Sequence, residues 1–244
     1  MIEIIDVKKS FSDDVVLKGI STTFKAGTTN LIIGSSGSGK TTLIKCMVGL
    51  YGTDGGNILY DGRDFSEMSR KNKKAIRKEI GMLFQGSALF DSLTVEENIM
   101  FPLNMFAGTS YEEKLDRVNQ CLSRVNLENK NNLYPSELSG GMKKRVGIAR
   151  ALSLNPKYLF CDEPNSGLDP KTSIVIDKLI YEITQELNIT TIVNTHDMNS
   201  VKEIGDNILF LHQGKKWWEG NKKEIAHTDN SVLNDFIFAN NINW

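Results

Sequence analysis

A run of glycine, serine and lysine early in the chain has the spacing needed to hold phosphate groups. Its residues are Gly34, Ser35, Ser36, Gly37, Ser38, Gly39, Lys40 and Thr41. The glycines let backbone N–H groups turn toward phosphate oxygens, the Lys40 ammonium can reach the β and γ phosphates, and the Thr41 hydroxyl can bind Mg²⁺. We expect Thr42 to belong to the same site. The alternative is a Gly/Ser turn that has this spacing by chance.

Two adjacent carboxylates, Asp162 and Glu163, follow a short apolar run and could complete such a site. A carboxylate at the end of a strand can hold the metal through water, and a second one can accept a proton from an attacking water molecule. We assign these two roles to Asp162 and Glu163 respectively. The sequence Asp-Glu-Pro is also compatible with an N-terminal helix cap, and the residues alone leave that alternative open.

Two further polar residues, His196 and Gln85, follow or end other apolar runs. A histidine at the carboxyl edge of a parallel sheet, where ligands of open α/β sheets bind, could hydrogen-bond a γ-phosphate and help to hold the base in line. A single histidine can equally have only a structural role. Gln85 borders a helical segment and could sense the γ-phosphate, so we place it among the catalytic residues and also among the metal ligands.

The apolar patterns predict the elements that must position these residues. Apolar and polar residues alternate at 2–7 and 15–20, which predicts antiparallel strands. A strand at 30–33 leads into the glycine loop, and a helix follows at 41–50. The apolar runs 158–161 and 190–193 predict buried parallel strands joined by a helix at 174–187. Closing strands are expected at 208–211 and 216–219.

The predicted fold class is therefore α/β with an inserted helical part. Residues 86–153 show helical spacing and no clear strand, so we expect them to form the insertion. Residues 1–85 and 154–225 would then form the core with an antiparallel β subdomain, and residues 226–244 a short C-terminal tail.

The composition narrows the class of protein. The chain has 244 residues, of which 40% are apolar and 24% charged, and a net charge of −1 gives no reason to expect nucleic acid as a partner. The basic clusters at 70–78 and 143–145 are interleaved with apolar residues, which predicts solvated helix faces. No run approaches the roughly 18 apolar residues of a membrane span, so we expect a cytoplasmic protein. We expect Cys46, Cys121 and Cys161 to be buried, reduced thiols.

The segment Leu138, Ser139, Gly140, Gly141 and Met142 resembles the signature motif of ATP-binding cassette (ABC) ATPases. The phosphate loop, glutamine, signature, Asp-Glu pair and histidine stand in the order typical of that superfamily, and the resemblance extends to about residue 236. It implies a P-loop NTPase (RecA-like) core and an ATPase that uses ATP and Mg²⁺. A P-loop kinase or GTPase needs neither this signature nor a strand-end histidine at this spacing.

The same resemblance implies that two copies of the chain form a head-to-tail dimer. In that dimer Ser139, Gly140 and Gly141 would contact the γ-phosphate bound by the other copy, and a helix N-terminus behind Ser139 suits that contact. Asp169 would lie in a loop, 166–169, that crosses the dimer interface. Asn165 departs from the family's pattern, in which threonine is commoner at this position.

The resemblance also implies that Phe11 stacks on the adenine ring of ATP. An aromatic side chain offers a flat apolar face for such stacking. The alternative is that Phe11 is an ordinary strand aromatic.

Within the superfamily, residues 85–95 and 135–142 resemble the cassette subunit of Mla-type phospholipid transporters, which work with MCE-domain proteins. This implies phospholipid transport at the inner membrane with integral-membrane permease subunits, an MCE-domain lipid-binding subunit and a small accessory cytoplasmic subunit. The alternatives are a cassette of the cell-division or lipoprotein-release type, or one of a solute importer. Leu89, Phe90 and Leu93 are candidates for the permease contact, with core packing as the alternative.

Overall fold

Two β-sheets and eight α-helices make up the part of the chain that the structure describes. The computed structural model describes residues 1–239, so residues 240–244 of the expected tail lie outside the described part. The strands are β1 (Ile2–Phe11), β2 (Asp14–Phe24), β3 (Thr29–Ile33), β4 (Gly55–Tyr60), β5 (Arg63–Asp64), β6 (Ile80–Leu83), β7 (Tyr158–Asp162), β8 (Thr190–Asn194), β9 (Asn207–His212) and β10 (Lys215–Gly220). The helices are α1 (Lys40–Met47), α2 (Arg70–Lys78), α3 (Val95–Phe106), α4 (Tyr111–Arg124), α5 (Gly140–Leu152), α6 (Pro170–Leu187), α7 (Met198–Ile204) and α8 (Ser231–Ala239).

Six strands form the larger sheet, in the order β10-β9-β3-β8-β7-β6. β3 pairs in parallel with β8 and β9, and β7 pairs in parallel with β6 and β8, whereas β10 runs antiparallel to β9 at the edge. β3, β7 and β8 are buried along their whole length, as expected for parallel strands covered on both faces. Their carboxyl ends therefore meet at one edge of the sheet, which is where ligands of open α/β sheets bind.

The helix after the glycine loop, α1, lies between the two sheets. The smaller sheet is antiparallel, in the order β2-β1-β4-β5. One core cluster joins Leu43, Ile44 and Met47 of α1 to Ile4 of the smaller sheet and Phe160 of the larger sheet. Full burial of each such side chain stabilises the fold by roughly 1.5–3 kcal/mol. Because α1 is held on both sides, the loop that precedes it has a firm support.

Three helices, α3, α4 and α5, lie between β6 and β7 in the chain and share a second core cluster with the larger sheet. α3 begins with a capping box formed by Thr94 and Glu97, and α4 with one formed by Ser110 and Glu113. None of the helices within residues 1–239 is long and apolar enough to cross a bilayer. The predicted α/β class, with an antiparallel sheet beside a parallel one, is confirmed.

One expectation about the charged surface was wrong. The basic helix α2 is mostly exposed, as predicted, but Lys144 on α5 is only 4% exposed. α5 packs against α3, α4, α6 and β6. This packing buries Lys144, although the local sequence predicts a solvent-exposed position. The expectation for the cysteines is confirmed, since Cys46, Cys121 and Cys161 are buried free thiols.

Candidate functional site

The glycine loop leads from the end of β3 into α1. Gly34 has a φ of 148°, and a Cβ atom there would lie 2.2 Å from the carbonyl oxygen of Leu211, while Gly39 has a φ of 102° and caps α1. Only glycine fits both positions without strain. α1 begins at Lys40, so the unpaired N–H groups of its first turn face the loop. The loop is therefore shaped to surround an anion at a helix N-terminus.

Two buried polar groups in this loop fit a phosphate ligand. Lys40 is 6% exposed, and its ammonium donates hydrogen bonds to the carbonyl oxygens of Gly34 at 2.8 Å and Ser35 at 3.1 Å. Burial lowers the pKa of Lys40. The hydroxyl oxygen of Ser38 is buried and has no hydrogen-bond partner among the described residues. Phosphate oxygens would provide strong acceptors for both side chains.

A cleft of about 880 Å³ lies over the loop and brings together segments that are far apart in the sequence. The loop and the first residues of α1, Ser35 through Thr42, form its floor. The other lining residues are Asp14, Val16, Gln85, Glu163, His196, Phe236 and Ala239. The structure thus places Gln85, Glu163 and His196 beside the glycine loop, and the volume is within the range of small-molecule sites.

The oxygen atoms of Thr41 and Asp162 lie together behind the loop. The Thr41 hydroxyl donates to Asp162 Oδ1 at 3.2 Å, and Asp162 is 7% exposed at the last position of β7. A hydroxyl and a carboxylate form an oxygen donor set of the kind that Mg²⁺ prefers, so these residues fit the expected metal. Asp162 and Glu163 do not cap a helix, because Asp169 caps α6 instead. The helix-cap alternative is therefore excluded.

Asn194, the last residue of β8, completes this group, and sequence reasoning missed it. Its side-chain amide donates to Thr41 Oγ1 at 3.1 Å and to Asp162 Oδ1 at 2.5 Å, and the residue is fully buried. Asn194 and Asp162 are paired positions of the neighbouring strands β8 and β7. The available signal was a single amide side chain directly after Ile192 and Val193.

The Glu163 carboxylate is held from two sides. Gln85 Nε2 donates to Glu163 Oε2 at 2.9 Å, and His196 Nδ1 lies 3.4 Å from Glu163 Oε1. The Glu163 side chain is 21% exposed, so water can reach it. Its backbone has a φ of 46°, a left-handed conformation that non-glycine residues rarely adopt and that is found preferentially at functional sites. The geometry suits a base whose orientation is fixed by two neighbours.

The signature residues lie outside the lining of this cleft. Ser139 caps α5 and accepts a hydrogen bond from the Met142 N–H group at 3.3 Å, and Ser139 and Gly140 are exposed. A Cβ atom at Gly141 would lie 2.6 Å from the Thr172 side chain, so this glycine permits the close approach of α5 to α6. The chain's own glycine loop therefore faces a cleft to which these residues do not contribute.

Two other expected site residues also lie apart from the cleft lining. Phe11 is 42% exposed at the end of β1, and its ring makes an edge-on contact with Tyr51 at a centroid distance of 5.1 Å. Asp169 accepts hydrogen bonds from the Thr172 hydroxyl at 2.5 Å and from the Lys171 N–H group at 3.1 Å. Asp169 thus fixes the start of α6, next to the loop 166–169.

The unusual residue Asn165 belongs to a buried polar network. Its amide donates to Asp177 Oδ1 at 2.9 Å and to the Ser200 hydroxyl oxygen at 3.1 Å, and Ser200 in turn donates to Asp177 Oδ2 at 2.8 Å. Burial raises the pKa of Asp177 to about 6, and the two hydrogen bonds only partly offset this effect. The network links the segment after Glu163 to α6 and α7.

A parallel-sheet edge with a glycine loop at a helix N-terminus, a buried lysine and two strand-end carboxylates defines a P-loop nucleoside triphosphatase. The family model described as "ABC transporter" matches residues 17–166, more than half of the chain, and the chain belongs to this family. This family membership and the names of the relatives agree with the expectation of an ABC-type ATPase that uses ATP and Mg²⁺.

Curated relatives cover nearly all of this chain. It is 42% identical over 220 residues to the methionine import ATP-binding protein MetN of Rhizobium johnstonii, with 90% of this chain and 60% of the relative covered. The protein of the same name from Clostridium tetani is 42% identical over 226 residues, with 92% and 70% covered. The chain thus spans only about 60% to 70% of the length of these relatives. They are not named as phospholipid transporters, so the Mla-type expectation is not supported.

Solved structures share the fold. The dimeric ABC transporter cassette MJ0796, described as bacterial, superposes with a TM-score of 0.83 and 32% identity, covering 91% of this chain and 99% of that one. cbiO1 of Clostridium perfringens, described as part of the transporter complex cbiONQ, gives a TM-score of 0.85 and 33% identity, with 97% and 94% covered. Another structure of MJ0796 is described as a dimeric post-hydrolysis state bound to ADP and Pi.

Proposed function

We propose that this chain is the ATP-hydrolysing subunit of an importer for methionine or a similar small polar solute. The observation that carries the solute class is the 42% identity, over 90% or more of the chain, to proteins named as methionine import ATP-binding proteins. This proposal favours the solute-importer alternative over phospholipid transport. Met142, which belongs to one of the two segments that carried the lipid resemblance, is partly buried and packs against the core.

In this proposal the glycine loop binds the triphosphate. Lys40 exchanges its hydrogen bonds to the Gly34 and Ser35 carbonyl oxygens for bonds to phosphate oxygens, and the Ser38 hydroxyl gains the partner that it lacks. The N–H groups at the start of α1 face the same anion. Thr41 and Asp162 hold Mg²⁺, and Asn194 fixes the relative position of their oxygen atoms. When bound, Mg²⁺ neutralises negative charge on the β and γ phosphates.

Glu163 is the base for hydrolysis. A water oxygen attacks the γ-phosphorus, the bond to the bridging oxygen of ADP breaks, and the proton of the water passes to the Glu163 carboxylate. Gln85 and His196 act on the two oxygens of that carboxylate, as their distances of 2.9 Å and 3.4 Å indicate. Gln85 could also contact the metal when the nucleotide is bound.

A second copy of the chain completes each site. Ser139, Gly140 and Gly141 lie outside the cleft of their own chain, and the first two are exposed at the start of α5, where N–H groups are free to meet a phosphate. A head-to-tail dimer would bring them to the γ-phosphate bound by the other copy, with Asp169 near the interface. The relative MJ0796, described as dimeric, supports this arrangement.

Separate permease subunits dock on α3 and on the segment that precedes it. Phe90 is 43% and Phe101 39% exposed, and their rings pack together with centroids 4.8 Å apart. Met105 and Phe106, farther along α3, are also exposed. Of the residues expected at this contact, Leu89 instead packs against the core. An apolar surface of this kind is typical of an interaction site, and it would hold the chain at the cytoplasmic face of the inner membrane.

Transport by the assembled complex tests the solute assignment. The chain would be co-purified with its permease and reconstituted in proteoliposomes together with a solute-binding protein from the same genome. We expect ATP-dependent uptake of labelled methionine, and no uptake with a complex that carries Glu163→Gln. ATP-driven movement of a fluorescent phospholipid without methionine uptake would overturn the proposal and support the hypothesis of phospholipid transport instead.

A further inference from the structure

A buried lysine on the signature helix has no role in the mechanism described so far. Lys144 lies on α5 and is 4% exposed. Burying an ammonium group is costly unless it gains strong partners, and burial does lower the pKa of Lys144. Within residues 1–239, Lys144 forms no ion pair with a carboxylate. The nearby charges of Glu163 and Asp162 partly offset that cost, but the direct partners of the ammonium are other groups.

The partners of Lys144 are main-chain carbonyl groups of two site residues. Its Nζ atom donates to the carbonyl oxygen of Gln85 and, at 3.3 Å, to that of Glu163. These two residues also meet through their side chains, at 2.9 Å. One ammonium group therefore bridges the backbone of the base and the backbone of the residue that orients it.

The two segments that Lys144 holds both contain strained backbone. Glu163 has a φ of 46°, and Ser87 and Ala88, just after Gln85, have φ values of 62° and 46°. Such conformations persist only where the surroundings enforce them. The N–H group of Glu163 is bonded to the Asn194 carbonyl oxygen at 3.0 Å, so Lys144 supplies the corresponding anchor at the Glu163 carbonyl.

A second cation from the same helix holds the Gln85 segment. The Arg150 guanidinium donates to the carbonyl oxygens of Ser87 and Ala88, each at 2.7 Å. α5 therefore contacts this segment through two long basic side chains. Because α5 begins at the signature residues, a shift of the helix would be transmitted directly to Gln85 and Glu163.

We propose that Lys144 is a positioning residue for ATP hydrolysis, which ties the signature helix to the backbones of Gln85 and Glu163. It sets the direction of the Glu163 carboxylate without touching the nucleotide. The inference rests on the proposed role of Glu163 as the base. It predicts that loss of Lys144 slows turnover and leaves ATP binding intact.

The test compares three variants of the full chain by steady-state phosphate release and by binding of a fluorescent ATP analogue. Lys144→Met keeps the length of the side chain and removes its donors, so kcat should fall by about 10- to 100-fold, as small misplacements of catalytic groups do. The Kd for the analogue should change less than about twofold. Lys144→Arg, which retains donors, should recover part of the rate. Lys143→Met on the same helix is the control and should leave both values unchanged.

A double-mutant cycle separates positioning from a general structural effect. In the Glu163→Gln background Lys144→Met should cause almost no further loss of rate, because the group that it positions is already gone. Independent losses that multiply, or an unchanged kcat in Lys144→Met, would overturn the proposal. If Lys144→Met does not fold, Lys144→Leu, which also lacks donors, takes its place in both measurements. A wild-type chain that binds ATP but releases no phosphate would instead refute the proposed ATPase function itself.

Discussion

Asp162 and Asn194 face each other at the ends of neighbouring strands, and the Asn194 amide donates to the Asp162 carboxylate at 2.5 Å. The same amide reaches the Thr41 hydroxyl, so a single side chain sets the spacing of the two oxygen atoms that we assign to Mg²⁺. The side-chain oxygen of Asn194, Oδ1, is buried without a hydrogen-bond partner among the described residues. Asn194 therefore orders the two oxygen atoms that we assign to Mg²⁺, at some cost to the stability of the fold, because burying an unpaired oxygen is unfavourable.

Replacing Asn194 with valine should separate these two effects. Asn194→Val removes the amide that orders Thr41 and Asp162. We therefore expect the Mg²⁺ concentration for half-maximal ATPase activity to rise by about tenfold. A tenfold change corresponds to about 1.4 kcal/mol, which is within the range of one hydrogen bond. The free energy of unfolding should stay the same or increase, because a buried unpaired oxygen is lost as well. Magnesium titration and urea unfolding measure the two quantities.

A matched control for Asn194→Val lies at the other end of the same strand. Thr190 is 1% exposed, and its hydroxyl is buried without a partner in the described part of the chain. Thr190→Val should raise stability slightly and leave the magnesium requirement unchanged. An equal shift of that requirement in both variants would contradict the role of Asn194.

Replacing Glu163 with glutamine should abolish turnover while binding remains. Glu163→Gln keeps the shape of the side chain but removes the proton acceptor, so phosphate release should fall by about 10²- to 10⁴-fold. ATP affinity should be nearly unchanged, and gel filtration with ATP should detect the dimer. Glu182→Gln, an exposed change on α6, is the control. Wild-type turnover in Glu163→Gln would remove Glu163 from the mechanism.

Replacing Lys40 with alanine should act on binding itself. Lys40→Ala removes the buried cation of the glycine loop, and a charge-assisted hydrogen bond of about 1.5–3 kcal/mol corresponds to a roughly 10- to 100-fold weaker ATP affinity. Isothermal titration calorimetry measures this change. Lys45→Ala, at the other end of α1, should bind as the wild type does. Equal affinities of the Lys40 and Lys45 variants would count against the loop as the phosphate site.

The buried Asp177 should make stability depend on pH in a defined window. Its pKa is raised to about 6 in the folded chain, mainly by burial, with Asp197 and Glu203 adding to the effect, whereas the unfolded chain has the ordinary value near 3.8. Between these values the folded state binds a proton that the unfolded state has lost. The contribution of Asp177 to stability is therefore full below about pH 3.8, declines as the pH rises to about 6, and is constant above that.

Asp177→Asn should remove this dependence. An asparagine can still accept from Asn165 and can donate to the Ser200 oxygen, so the network survives without a buried charge. We expect the variant to gain on the order of 1 kcal/mol at pH 7.5 and nothing at pH 4. Urea unfolding at both pH values measures the gain. A loss of stability at pH 7.5 would indicate that the network needs the carboxylate.

The glycine loop could be predicted in full because its chemistry is local. The residues from Gly34 to Thr41 are contiguous, and the strand and helix that flank them have strong patterns of their own. Glu163 and His196 could be placed at the same edge because each follows an apolar run that reads as a parallel strand. In these cases the chain order alone brings the residues to the site.

Asn194 and Lys144 could not be predicted, for different reasons. The role of Asn194 depends on the register of β8 against β7, which no local pattern determines. Lys144 lies in a basic stretch that resembles a solvated face, and only the packing of α5 against distant segments buries it. The small strands β4 and β5 were also missed, since Gly55 and Gly56 interrupt the apolar pattern of β4.

The exposed start of α5 has a consequence for mixtures of inactive chains. In the head-to-tail dimer that we propose, each site combines Lys40 of one copy with Ser139 of the other. A chain disabled at Lys40 and a chain disabled at Ser139 would each be inactive alone, yet their heterodimer would contain one intact site and one site with both defects. Mixing the two preparations should therefore restore activity by complementation, as happens only for enzymes whose sites are shared between subunits.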